Sequence, residues 1–171
     1  AERCTLIPGS GIDLGAYTPA PAPEGMPVVV LPARMLRDKG VEEFVSAAAI
    51  LQARGIKARF VLVGTPDLEN PASIPASKLQ SWVEQGTVEW WGWRNDMAKV
   101  YASAHIVCLP SYREGLPKSL IEAAACGRPI VTTDVPGCRD SILPGETGLL
   151  VPPRNAAFLA DGLRLLLSDP E

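Results

Sequence analysis

Short apolar runs alternate with amphipathic stretches along almost the whole chain. Val28-Val29-Val30-Leu31 is a continuous β-rich run, and from Val41 to Arg54 the apolar residues fall at helical spacing. Phe60-Val61-Leu62-Val63 is a second run, stopping at Gly64. The segment 65–77, rich in Pro, Asn and Ser, reads as a loop. The pattern then predicts a helix from Lys78 to Gln85, a strand from Thr87 to Trp91 and a helix from Asn95 to Ser103, capped by Asn95 or Asp96. A fourth strand, His105 to Leu109, ends at Pro110. The helix Leu116 to Cys126 follows, with Pro117 in its first turn and Gly127 at the left-handed position beyond its end. Strands at 129–133 and 148–151 and a helix from Ala156 to Leu167 complete the series.

Strands that are apolar on both faces and alternate with helices belong to a parallel sheet covered on both sides. The expected fold is α/β: a single Rossmann-like, doubly wound parallel sheet of about six strands with helices on both faces. A ligand would then sit outside the carboxyl ends of the strands. The polar and glycine-bearing turns fall there: Arg34 to Gly40, Gly64-Thr65, Gly92-Trp93-Arg94 and Ser111 to Leu116. The Pro/Ala-rich stretch from Thr18 to Pro27 reads as a linker or a loop leading into the first strand.

Composition changes this picture little. The 171 residues suit one domain, and 47% hydrophobic with 20% charged residues is ordinary for a globular protein. A net charge of −3 gives no electrostatic reason to expect nucleic acid as a partner. No stretch approaches the roughly 20 apolar residues of a membrane span, and Ala1-Glu2-Arg3-Cys4 does not open a signal peptide. Cys4, Cys108, Cys126 and Cys138 show no C-x-x-C spacing, and there is one histidine. A Cys/His zinc site is not expected; free thiols in a reducing cytoplasm are. His105 reads as a strand-start residue.

The candidate chemistry lies in two places. Arg34 and Lys39 stand on the turn after the first strand, followed by Gly40, where two cations beside helix amides suit a diphosphate. Taken alone, they also fit a solvated turn. Glu114 precedes the fourth helix and Glu122 lies eight residues later inside it. Gly115 allows close backbone approach, and the amides of the first helical turn favour an anion. The carboxylates could accept bonds from sugar and ribose hydroxyls, or Glu114 could cap the helix dipole while Glu122 sits on an amphipathic face. The setting Leu120-Ile121-Glu122-Ala123-Ala124-Ala125 favours the first reading, because a carboxylate in an apolar run needs a partner.

The set Gly11-Ile12-Asp13, Arg34…Lys39-Gly40, Val63-Gly64, Gly92-Trp93, Tyr101…Ala104, Pro110-Ser111, Glu114-x7-Glu122, Ala125-x-Gly127-x-Pro129-Ile130-Val131, Pro136-Gly137 and Gly145-x-x-Gly148 resembles glycosyltransferase family 4. These are retaining enzymes of the GT-B architecture, and the similarity runs from about Leu6 to Leu167. The resemblance implies that Arg34 and Lys39 are donor-diphosphate cations, that Glu122 binds the donor ribose and that Glu114 contacts the transferred sugar. Gly115, Leu116 and Pro117 would bring main chain to the diphosphate or sugar, and Trp93-Arg94 would receive the base. Lys118, in the first helical turn, suits either a ligand or solvent. No Asp-x-Asp metal site is present. Asp67-Leu68-Glu69 is the nearest mimic and is expected away from the motifs, so no metal or other cofactor is implied beyond a nucleotide-sugar substrate, expected to be a UDP-sugar.

By the same resemblance, 1–27 is an interdomain lead-in and 28–171 the C-terminal donor-binding domain, with the N-terminal acceptor domain absent. The enzyme would transfer a hexose-type sugar to a glycan or lipid-linked acceptor in envelope polysaccharide or lipopolysaccharide biosynthesis. It would be cytoplasmic, touching the inner face of the membrane only through the missing half, and the isolated domain would be inactive alone. A GT-B-fold UDP-sugar epimerase and a non-catalytic nucleotide-binding regulatory module remain as alternatives.

Overall fold

The computed structural model describes residues 9–168. Residues 1–8 of the lead-in, Cys4 among them, and residues 169–171 lie outside the described residues. Six parallel strands form one sheet: β1 (Val28–Pro32), β2 (Arg59–Val63), β3 (Glu89–Gly92), β4 (Ile106–Leu109), β5 (Ile130–Thr133) and β6 (Gly148–Val151). Their order is β3-β2-β1-β4-β5-β6. Chain order therefore reverses between β1 and β4, where Val29 pairs with Ile106 and Val30 with Val107.

Alternate residues of the strands feed two separate cores, which is why the central runs are apolar without interruption. Val29, Leu31, Phe60 and Leu62 pack under α1 (Val41–Ala53), α2 (Ala76–Glu84) and α5 (Ala156–Ser168). Phe44 and Phe60 meet edge to face there, 5.9 Å between centroids. Val28, Val30, Val61 and Val63 pack under α3 (Met97–Ala102) and α4 (Lys118–Ala125). The doubly wound α/β sheet expected from the sequence is the observed one. His105 immediately precedes β4, which starts one residue later than the pattern gave, and its Nδ1 accepts the Val28 amide at 3.0 Å, joining the starts of β1 and β4.

Four local expectations need correction. β3 runs from Glu89 to Gly92, two residues later at its start than Thr87, whose amide instead donates back to the Trp82 carbonyl in α2. Pro117 is the cap of α4 and not a first-turn residue, and its carbonyl accepts the Leu120 amide. Asp96 occupies the cap position of α3, but its side chain makes no capping bond; Arg94 takes both carboxylate oxygens. The segment 65–77 is more than a surface loop. Leu36 bridges Ser73, Ile74 is fully buried, and α2 already begins at Ala76. This folds the loop back onto the turn that carries Arg34 and Lys39.

Candidate functional site

The reversal of strand order leaves a crevice at the carboxyl ends of β1 and β4. Gly40 brings its two sides together. Its φ is +72°, and a Cβ there would lie 2.1 Å from the Pro110 carbonyl oxygen, so only glycine lets the start of α1 press against the end of β4. The loop after β4 is then fastened on both flanks. The amide of Tyr112 and the hydroxyl of the buried Ser111 both donate to the Asp38 carbonyl, at 2.8 and 3.0 Å. The Thr133 hydroxyl donates to the Ser111 carbonyl from β5. Within this frame Lys39 Nζ meets Glu114 Oε1 at 2.5 Å, their side chains only 19% and 11% exposed. The two candidate loops are thus joined by a charge pair that is largely out of water.

Beside this pair opens a cleft of about 310 Å³, lined by Arg34, Gly64, Thr65, Trp93, Arg94, Met97, Tyr101, Lys118, Ser119 and Glu122, among others. Gly64 shapes its floor: with φ at +140°, any Cβ would collide with the Ala33 carbonyl. Glu122 projects from the middle of α4 and accepts the Tyr101 hydroxyl at 2.8 Å. Burial, and then the charge and hydrogen bond of Glu122, hold the Tyr101 phenol well above its ordinary pKa. Arg34 Nη1 reaches Asp67 Oδ2 at 2.6 Å from the opposite rim, with its own side chain 60% exposed. Trp93 stands at the mouth, 69% exposed. The amides of Lys118 and Ser119 precede the first intrahelical bond of α4 and lie at the cleft wall.

The structure thus gathers Arg34, Trp93, Arg94, Lys118 and Glu122 in one cleft. Lys39 and Glu114 form the adjoining pair. Gly115, Leu116 and Pro117 line the loop between pair and helix: the Gly115 carbonyl packs onto Gly137, where a Cβ would stand 2.0 Å away, and Leu116 packs onto Gly9. The partner that an apolar setting demands for Glu122 is Tyr101. Asp67 was expected away from the motifs and is not; it holds Arg34. That error has a physical cause, since the contact depends on how 65–77 folds back, which no local pattern encodes. Tyr101 entered the sequence reading only as a motif position. A tyrosine on a buried helix face and a glutamate in an apolar run each need a polar partner, and that shared need was the available signal.

A parallel sheet in this order, with cations and carboxylates collected where the order reverses, is a doubly wound α/β domain with a polar crevice at its switch point. The chain belongs to the family described as Glycosyl transferases group 1, which matches residues 26–169. It is 41% identical over 143 residues to the N,N'-diacetylbacillosaminyl-diphospho-undecaprenol alpha-1,3-N-acetylgalactosaminyltransferase of Campylobacter jejuni, covering 84% of this chain and 36% of that protein. Sucrose-phosphate synthase from Thermosynechococcus elongatus superposes with a TM-score of 0.80 at 30% identity, over 94% of this chain and 42% of the other. The Anabaena protein HepE, solved in complex with UDP, superposes at 0.79 with 21% identity, over 94% and 47%. The fold is that of GT-B glycosyltransferases, and the chain spans less than half the length of these proteins. No helix among the described residues is long and apolar enough to cross a membrane.

Proposed function

We propose that this chain is the nucleotide-sugar-binding domain of a retaining, metal-independent glycosyltransferase, and that its donor is a UDP-sugar. The observation that carries the reading is the convergence of Arg34, Lys118, Glu122 and the first amides of α4 on one cleft next to the Lys39–Glu114 pair. The helix amides and Lys118 face the diphosphate, and Arg34 leaves Asp67 to join them. Glu122 accepts the ribose hydroxyls. The main chain at Trp93-Arg94 receives the base, with the indole covering it. Glu114, steadied by Lys39, accepts hydroxyls of the sugar.

When the bond between the anomeric carbon and the diphosphate oxygen breaks, negative charge grows on the departing diphosphate. Arg34, Lys39, Lys118 and the helix dipole are placed to offset it where a metal ion would otherwise serve. The acceptor, a glycan or a lipid-linked saccharide, would be supplied through a partner domain, consistent with the length of the relatives and the undecaprenol-linked acceptor in the name of the Campylobacter protein. Calorimetric titration of the chain with UDP, GDP and ADP, with EDTA and with magnesium, tests the reading. UDP is expected to bind best and equally in both conditions. Glu122→Gln should weaken UDP by about tenfold. Absence of binding to all three nucleotides would sink the proposal.

A further inference from the structure

The lead-in segment, read from the sequence as a linker, runs against the donor cleft. Asp13 organises its first turn: the side chain accepts the Gly15 amide at 2.8 Å, and the carbonyl accepts the amides of Ala16 and Tyr17. This turn presents Tyr17 to Tyr101, ring centroids 6.0 Å apart and planes at 59°. A few residues on, the segment is gripped by Arg128. This buried guanidinium has no carboxylate within salt-bridge distance among the described residues. It donates instead to the carbonyls of Ala20 and Pro21 on the segment and of Ala104 and Cys126 on the domain. Pro19 lies against Gly127. A side chain that bonds only to main-chain carbonyls from two parts of the chain is a clamp, and what it clamps is the stretch carrying Tyr17.

We propose that Tyr17 is a positioning residue of the donor site: its ring braces Tyr101, whose hydroxyl holds the Glu122 carboxylate, so the seating of segment 13–21 sets how well that carboxylate is aimed into the cleft. Glu122 has Tyr101 on one oxygen. The Tyr17 ring packs against Tyr101, and burial first, then the charge of Glu122, holds its phenol above its ordinary pKa. Tyr101, bonded to the carboxylate through its hydroxyl and braced by the Tyr17 ring, limits the freedom of Glu122 to turn and leaves its remaining acceptor positions for a ligand. Because Tyr17 belongs to a segment outside the sheet, a shift of that segment loosens Glu122 while leaving the strands in register.

The inference rests on Glu122 binding ribose hydroxyls, as proposed above, and the test separates the two. Binding of UDP and of 2′,3′-dideoxy-UDP is measured for the wild type, Tyr17→Leu and Tyr101→Phe. Tyr17→Leu removes the bracing ring, whereas Tyr101→Phe keeps its ring and removes only the bond to Glu122. The expected result is a loss of about three- to tenfold for UDP in each variant, with dideoxy-UDP unchanged within about twofold. Equal losses for both nucleotides would mean that the tyrosines act on the fold, and no loss for either would mean that they do not act at all; both overturn the inference. A second readout needs no nucleotide. The Tyr17 phenol, followed by carbon NMR of tyrosine-labelled chain, is expected to titrate at lower pH in Glu122→Gln than in the wild type. An unchanged titration overturns the coupling even if UDP binds, whereas a wild type that binds no nucleotide but shows the shifted titration would overturn only the donor-site reading.

Discussion

Arg34 and Lys39 stand five residues apart on one turn, yet the fold gives them opposite situations. Lys39 is drawn inward and paired with Glu114, both largely buried, in a frame fixed by Gly40 and by the bonds of Ser111 and Tyr112 to Asp38. Arg34 extends over the rim of the cleft and meets Asp67 mostly in water. The buried pair gains more from its Coulomb attraction because little water screens it, and separating it leaves a charge without a partner. The exposed pair is worth little and its partner can be exchanged. A single turn therefore supplies one cation built into the architecture and one whose partner can be exchanged.

The most severe way to break the buried side is Gly40→Ala. The new methyl would be driven into the Pro110 carbonyl at a backbone angle that L-residues rarely adopt. The expected cost is about 3 kcal/mol or more, read as a lowered midpoint in urea denaturation. A loss below about 1 kcal/mol would show that the α1 start and the β4 end can part easily, and that Lys39 and Glu114 are not held by the frame.

The pair itself is tested by a cycle of Lys39→Met, Glu114→Gln and the double variant. Each single change leaves a partly buried group unpartnered and is expected to cost about 1–3 kcal/mol of stability. The double variant should cost clearly less than the sum. Additive costs would place the two side chains in separate roles.

Much of this arrangement was legible in the sequence, and what was not shares one character. The six strands and their wrapping helices follow from continuous apolar runs alternating with helical periodicity, because both faces of a central parallel strand are buried. Boundaries slipped where burial is partial: all four residues of β3 at the sheet edge are half-exposed, and the pattern there extends as well to Thr87 as to Gly92. Glu122 declared its need for a partner through its apolar surroundings. Asp67, Tyr17 and Arg128 gave no comparable sign. Their contacts span 33, 84 and 107 or 108 residues, and depend on how two irregular segments fold back on the sheet.

The exposed side of the comparison is tested by Arg34→Ala and Asp67→Asn. Neither is expected to move stability by more than about 0.5 kcal/mol. Binding of UDP should separate them. Loss of Arg34 removes a cation from the diphosphate and should weaken UDP by about tenfold. Loss of the Asp67 charge frees Arg34 from a competitor and should tighten UDP by about two- to threefold. Weaker binding in Asp67→Asn would mean that Asp67 orients Arg34 for the ligand, and the rim pair would then be as preformed as the buried one.

Exposure alone does not decide how firmly a pair is held, and Arg59–Glu89 at the β2–β3 edge shows why. Its side chains are 44% and 40% exposed, but the guanidinium meets both carboxylate oxygens, at 2.7 and 2.8 Å, and Trp91 Nε1 donates to the same group. The hydrogen bond from Arg59, followed by that from Trp91 and the charge of Arg59, holds the Glu89 carboxyl below its ordinary value against the opposing effect of burial. A folded value below the unfolded one means that the unfolded chain takes up the proton more readily. The stabilisation is therefore complete above the ordinary glutamate value and disappears as the pH falls through the lowered one. With water screening the pair, it should amount to about 0.2–1 kcal/mol. Denaturation of the wild type and Glu89→Gln across the acid range should show this small difference near neutrality, shrinking toward zero in acid. A difference that stays constant with pH would assign the effect to packing of the side chain, and would leave burial as the feature that separates Lys39 from Arg34.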